Sequence, residues 1–153
     1  VAKVLVRSVQ PGDAEELAPR LRQADLDEIE AVNGRAPVDA LTRCVASSTH
    51  SWAVEIDDEL ACLMGVTPVS ILGGIGCPWL LGSDAVARHA GAFIKQTLIY
   101  IPLMLEAYPH LFNLVDARNT KAIRWLKRAG FNVMDPMPYG RADLPFHPFE
   151  MKA

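Results

Sequence analysis

The sequence has no basic excess. Fifteen Lys and Arg residues stand against 18 Asp and Glu, a formal charge of −3, which argues against a broad nucleic-acid-binding face. Cysteine is scarce. Cys44, Cys62 and Cys77 sit in apolar surroundings without short metal-type spacing, and an odd count fits reduced thiols better than a disulfide framework. The four histidines, His50, His89, His110 and His147, fall on different predicted elements with no i, i+4 pairing, so no metal site is expected. No apolar run reaches the roughly 20 residues that a bilayer needs. The most lipid-like stretch, Thr97 to Tyr108, follows Lys95, carries Glu106 and is interrupted by Pro102. It reads as a helix that is buried or covered by another subunit, with Ala92 to Leu105 as its apolar body, which allows a homo-oligomer. No charged leader followed by an apolar stretch opens the chain, and the expected compartment is cytoplasmic. Repeats, low-complexity tracts and linkers are lacking too, so residues 1–153 read as a single domain, a size that buries about 68–70% of its unfolded surface.

What is present is an alternation of strands and helices. "AKVLVRSV" (Ala2 to Val9) is a β-branched strand closed by Pro11-Gly12. Asp13 and Glu16 have capping-box spacing, and the helix they open is expected to bend or restart at Pro19 and to stop at Asn33-Gly34. A second helix begins at Pro37. "SWAVEI" alternates as a half-buried strand, Asp57-Asp58-Glu59 makes an acidic hairpin turn, and "LACLMGV" (Leu60 to Val66) is apolar on both faces. "CPWLL" (Cys77 to Leu81) is a fourth strand. A long helix from Ser83 to about Ala107 is expected to kink at Pro102. "LFNLV" (Leu111 to Val115) is the fifth strand, followed by a helix with Asn119 as N-cap and Gly130 beyond its end. The tail from Phe131 to Lys152 suits a pair of edge strands. The fold class is α/β (α+β), three-layered, with a mixed sheet of six to seven strands in the order β-α-α-β-β-β-α-β-α-β-β.

Several chemistries lack their signatures. "GGIGCPWLLG" misses the third Gly of a dinucleotide fingerprint and leads into a strand. No Ser or Cys sits in a G-x-S-x-G setting, and Ser83 reads as a helix cap.

The element order, with Asn119-Thr120-Lys121-Ala122 and Ala129-Gly130-Phe131 after the fifth strand, resembles the GCN5-related N-acetyltransferase (GNAT) superfamily. The resemblance implies acetyl-CoA as candidate cofactor, held where the fourth and fifth strands splay. The pantetheine arm would lie along Trp79, Leu80 and Leu81, the phosphates over Gly82, Ser83, Asp84 and Ala85 with Arg88 nearby, and Asn119 and Ala122 close to the thioester. The family's Q/R-x-x-G-x-G/A segment is matched here to "LLGSDAVARHAG", which is poor in glycine and has no leading Arg or Gln, with Asp84 in the first helical turn, where a carboxylate opposes a diphosphate. Leu126 stands where many members have a Tyr that protonates the departing thiolate, and "CPWLL" holds no general base. No catalytic residue is therefore assigned.

More narrowly, "PWLLGSD", "DARNTKAIRWLKRAGF" and "PYGRADLPFHPFEM" resemble small phage proteins of the internal virion protein A family. That resemblance implies a structural or assembly role in a phage particle. The cofactor site would then be degenerate, other virion proteins would be the partners, and the place would be the host cytoplasm during assembly or the virion itself. Tyr139, Arg141 and His147, on the expected edge hairpin, are the candidate partner-binding residues. An active N-acetyltransferase acting on a small amine or a protein amino group is the alternative; neither nucleic acid nor membrane is expected as partner.

Overall fold

Eight strand segments form one mixed sheet in the computed structural model, which describes residues 1–153. They are β1 (Val4–Ser8), β2 (His50–Ile56), β3 (Glu59–Ser70), β4 (Ile75–Gly82), β5 (His110–Asp116), β6 (Asn132–Val133), β7 (Met137–Tyr139) and β8 (Leu144–Lys152). Their spatial order is β1-β2-β3-β4-β5-β8-β6, with β7 also on β8. Every neighbouring pair is antiparallel except β4 and β5. A parallel pair needs a crossover, and α4 (Ala85–Arg88), α5 (Ala90–Thr97) and α6 (Ile101–Ala107) supply it. Helices α1 (Asp13–Leu17), α2 (Gln23–Val32) and α3 (Pro37–Ser47) link β1 to β2, and α7 (Thr120–Ala129) follows β5.

The period-two alternation of the strands decides which helices cover which face. Ala53 and Leu63 join Leu17, Leu21, Leu41 and Leu81 in one core cluster, beneath α1 to α3. Their neighbours Val54, Cys62 and Met64 join Ala85, Val86 and Phe93 on the opposite face. Further along that second face Val66, Leu111, Val115 and Phe149 pack with Ile101 and Met104 of α6 and Leu126 of α7. Each fully buried Leu or Phe contributes about 1.5–3 kcal/mol, so the faces are specified strongly and a one-residue slip in any central strand would invert them.

The two-residue turn at Asp57-Asp58 has positive φ at both positions (50° and 66°), as the acidic hairpin requires. Four local expectations change. Asp13 is not the cap of α1; Gly12 is, at φ 93°. The Asp13 carboxylate instead accepts from the Gln10 N–H and from the Arg7 guanidinium. The long helix after β4 is broken rather than kinked at Pro102. It stops at His89 (φ −120°, ψ 36°), passes through a 3₁₀ turn at Leu98–Tyr100, and Pro102 falls in the first turn of α6, where its missing N–H costs nothing. The β3–β4 hairpin runs longer than the apolar core of either strand, to Ser70 and from Ile75. The tail forms three strand segments, because Pro136 falls between β6 and β7 and divides the edge partner of β8. No helix is long and apolar enough to cross a membrane.

Candidate functional site

The parallel pair β4 and β5 is bridged only at Ile75–His110 and Gly76–Leu111. Beyond that the strands diverge, leaving a V-shaped cleft that opens toward their carboxyl ends. Ser83 donates to Ala61 of β3 at 2.7 Å, so alternation turns Pro78, Leu80 and Gly82 toward the cleft.

Those three positions differ sharply. Pro78 has no N–H, and its carbonyl accepts from Asn113 Nδ2 at 2.7 Å. At Gly82 both peptide groups are used: its N–H donates to Asp25 Oδ2 at 2.8 Å, and its carbonyl accepts from the Arg22 N–H at 2.9 Å. Leu80, between them, faces the gap and no side chain bonds to it. On β5 the Leu114 N–H donates to Asn113 Oδ1 at 2.7 Å and the Asp116 N–H to Glu28 Oε1 at 2.9 Å. The cleft is thus filled at its floor by one amide and closed at its mouth by two carboxylates from α2, with a single β4 peptide left between.

Asp25 and Glu28 stand one helical turn apart, which places both on one face of α2. Asp25 is 2% exposed. Burial raises its pKa against the pull of Arg22, which it meets at 3.0 Å, and of the Gly82 N–H. Burial also pushes the Glu28 carboxyl up to about 7; the Asp116 N–H opposes the shift, and the charges of Asp25 and Asp116 add to it. Asp116 itself stays below the ordinary carboxylate range: burial works against ionisation, but the Arg118 guanidinium at 2.7 Å and the Arg118 N–H outweigh it. Beside these groups lies a cavity of about 60 Å³ lined by Ala24, Asp27, Asp116, Arg118 and Asn119. A wider recess of about 460 Å³ lies at the β1–α1 corner, away from the splayed strands. Arg7 and Arg20 there are already paired with Asp13, Glu55, Glu16 and Glu59.

The residues expected at the site divide into three groups. Trp79, Leu80 and Leu81 lie on the cleft strand, with Leu80 as its free edge. Asn119 caps α7, accepting from the Ala122 N–H at 3.2 Å, and Gly130 ends the helix at φ 101°. Gly82, Ser83, Asp84 and Ala85 do not open the long helix. They lead into the four-residue α4, and Ser83 Oγ accepts from the Ala85 N–H. Asp84 is exposed, and the helix that could seat phosphates starts again only at Ala90, behind the break at His89. Arg88-His89-Ala90-Gly91-Ala92 therefore carries the R-x-x-G-x spacing at that start, with Phe93 in the last position. A Cβ on Gly91 would meet nothing within 4 Å, so space lies open above it. The expectation of a degenerate cofactor site rested on Asp84 in the phosphate seat and on a segment poor in glycine with no leading Arg or Gln; the break at His89 puts a second helix start at Ala90, where Arg88 leads and Gly91 follows. Leu126, where a Tyr was sought, is 7% exposed and packs in the core.

The tail residues are placed as follows. Arg141 bonds the carbonyl and the carboxylate of Glu30, and its own N–H donates to Ala31. His147 Nδ1 is 2.8 Å from the Met134 carbonyl. Tyr139 stacks edge-on against Phe146 and is 38% exposed. The β7–β8 turn is thereby fastened to the end of α2, on the same side of the sheet as Asp25 and Glu28.

Asp25, Glu28 and Asn113 were not singled out in the sequence. "DLDEIE" looks like a solvated helix face. The one signal for Asn113 is a polar residue inside the apolar strand "LFNLV".

No protein-family model matches the chain, and no curated protein matches it in sequence. Solved structures do match in shape. Ard1 from Thermoplasma volcanium superposes with a TM-score of 0.73 at 18% identity, covering 98% of this chain and 97% of that one. The ribosomal-protein-alanine N-acetyltransferase of Brucella melitensis gives 0.73 at 14% identity, covering 97% and 99%. The spermidine N-acetyltransferase of Vibrio cholerae, in complex with CoA and spermine, gives 0.67 at 14% identity, covering 97% and 95%. The chain is a mixed α/β protein with the fold of the GNAT acetyltransferases.

Proposed function

We propose that the chain is an acetyl-CoA-dependent N-acetyltransferase whose acceptor is a cationic amine, either a small molecule or a protein amino group. The observation that carries this reading is the Leu80 peptide, the one position of the splayed β4 edge left facing the cleft between a filled floor and a closed mouth. An extended pantetheine arm needs such an edge to pair with. Charge favours the same orientation. Residues 118–129 hold five basic residues and no acidic one, whereas residues 13–32 hold seven acidic and two basic. A polyanionic cofactor belongs on the first side and an ammonium group on the second.

A thioester, when bound, supplies an acyl carbon open to attack by a neutral amine. The chain's own part is to position and to take a proton. The Leu80 N–H is a preorganised donor for a carbonyl oxygen. Glu28, with a pKa near 7 and its second oxygen free of protein partners, is the group suited to accept a proton from an ammonium at neutral pH. No side chain at position 126 offers a proton to the leaving thiolate, which leaves that step to water.

Calorimetric titration with CoA and acetyl-CoA tests the reading, followed by thiol release with spermidine, a lysine peptide and an alanine-terminated peptide. Saturable binding and amine-dependent release are expected. A flat titration at millimolar ligand would overturn it. The virion role, with its viral partners and its place in the host cytoplasm, would then be the reading left, on the sequence resemblance that suggests it.

A further inference from the structure

The geometry points to Asn113 as the residue that sets the length of acyl chain the β4–β5 cleft admits, restricting it to acetyl. The inference rests on the acyl-CoA reading above. The true ladder between the two strands ends at Gly76–Leu111. One rung higher the strands are already too far apart for backbone pairing, and the side-chain amide of Asn113 takes the place of a peptide. Its Nδ2 donates to the Pro78 carbonyl on β4, its Oδ1 accepts from the Leu114 N–H on β5, and both distances are 2.7 Å. Held at both ends, the amide has no rotamer left to yield, so it forms a rigid floor. Pro78 reinforces this, because a residue with an N–H there would ask for a second partner in the same rung.

The free Leu80 peptide lies two residues above Pro78, about 7 Å at the strand rise. Once a contact of about 3.5–4 Å to the amide is subtracted, the space below a thioester carbonyl placed on Leu80 suits a methyl group and crowds a longer chain. The mouth offers no alternative exit along β4, since Asp25 and the Arg22 N–H occupy Gly82.

The test compares acetyl-, propionyl- and butyryl-CoA, by calorimetric affinity and by thiol release with one amine, on the wild-type chain and on Asn113→Ala, Asn113→Ser and Asn113→Gln. The wild type should prefer acetyl over butyryl by about tenfold or more, the discrimination typical of added methylenes in a closed pocket. Asn113→Ala and Asn113→Ser should bring butyryl to within about threefold of acetyl, whereas the longer amide of Asn113→Gln should weaken acetyl-CoA itself. A wild type indifferent to chain length, or a folded Ala or Ser variant that keeps the wild-type preference, overturns the inference while leaving the acetyltransferase reading intact. A wild type that binds no acyl-CoA overturns both. If the smaller variants do not fold, the wild-type preference and the Gln variant decide.

Discussion

Glu28 holds a proton in the folded chain that it would lose in the unfolded one. Its folded pKa is raised from 4.5 to about 7, by burial first and by Asp25 and Asp116 second. The native state therefore binds more protons than the unfolded state between those two values, and stability falls as pH rises through that window. Glu28→Gln keeps an oxygen for the Asp116 N–H and removes the charge. It should leave stability nearly unchanged at pH 4.5 and raise it by about 1–3 kcal/mol at pH 8, read as the difference in denaturant midpoint at the two pH values. A gain independent of pH would mean that the carboxylate is ionised without strain. The same substitution should flatten the acidic limb of the rate profile for thiol release, which a purely structural role would not do. Leu126 makes the opposite case. Installing the absent Tyr there would place a hydroxyl among Val66, Met104, Leu111 and Phe149, not in the cleft. Leu126→Tyr should cost about 1–3 kcal/mol by overpacking and leave thiol release no faster; a faster enzyme would show that α7 can rotate this position into the site.

The break between α4 and α5 decides where an anion could sit. Nothing in the sequence marks it, because His89 is neither a glycine nor a proline and the apolar spacing runs on through it. The Asn119 cap and the Gly130 stop were legible because each depends on residues within one turn of each other, and the crossover because a long helical stretch separates two apolar strands. The mouth of the cleft was not. Asp25 meets a peptide 57 positions away and Glu28 one 88 positions away, and before the sheet exists both are indistinguishable from solvated acids on a short helix. Asn113 is intermediate: a polar residue in an apolar strand signals an unusual neighbour without naming it. If the restart at Ala90 is the phosphate seat, Gly91→Asp should weaken CoA binding by about tenfold or more, since a carboxylate in the first turn repels the ligand. Open space above Gly91 and the favourable dipole at that end predict an unchanged or higher Tm. Asp84→Asn, one break away from the seat, should change CoA affinity far less. Equal losses from both would return the seat to Gly82–Ala85.

Charge is distributed across the whole domain in a way no single contact reveals. The net charge of −3 conceals a basic helix α7 on one face of the sheet and acidic helices α1 and α2 on the other. Lys121, Arg124, Lys127 and Arg128 form no salt bridge, whereas Arg118 is spent on Asp116. Four exposed, unpaired cations on ten residues cost the native state self-repulsion and leave a local positive potential in an otherwise acidic protein. Such a field acts over a Debye length of about 10 Å at 0.1 M salt and about 3 Å at 1 M. CoA affinity should accordingly fall as salt is raised. Charge reversal at Lys121 and Arg124 should remove most of that dependence, and reversal at Lys152, on the far end of β8, should not. The acidic face predicts the mirror effect on the second ligand: the KM for a polyamine should rise with salt, while that for a neutral amine of similar size stays level. Thiol-release kinetics at several salt concentrations with both amines separate the two faces. Salt dependence of CoA binding that survives the α7 reversals would place the cofactor's phosphates away from that helix.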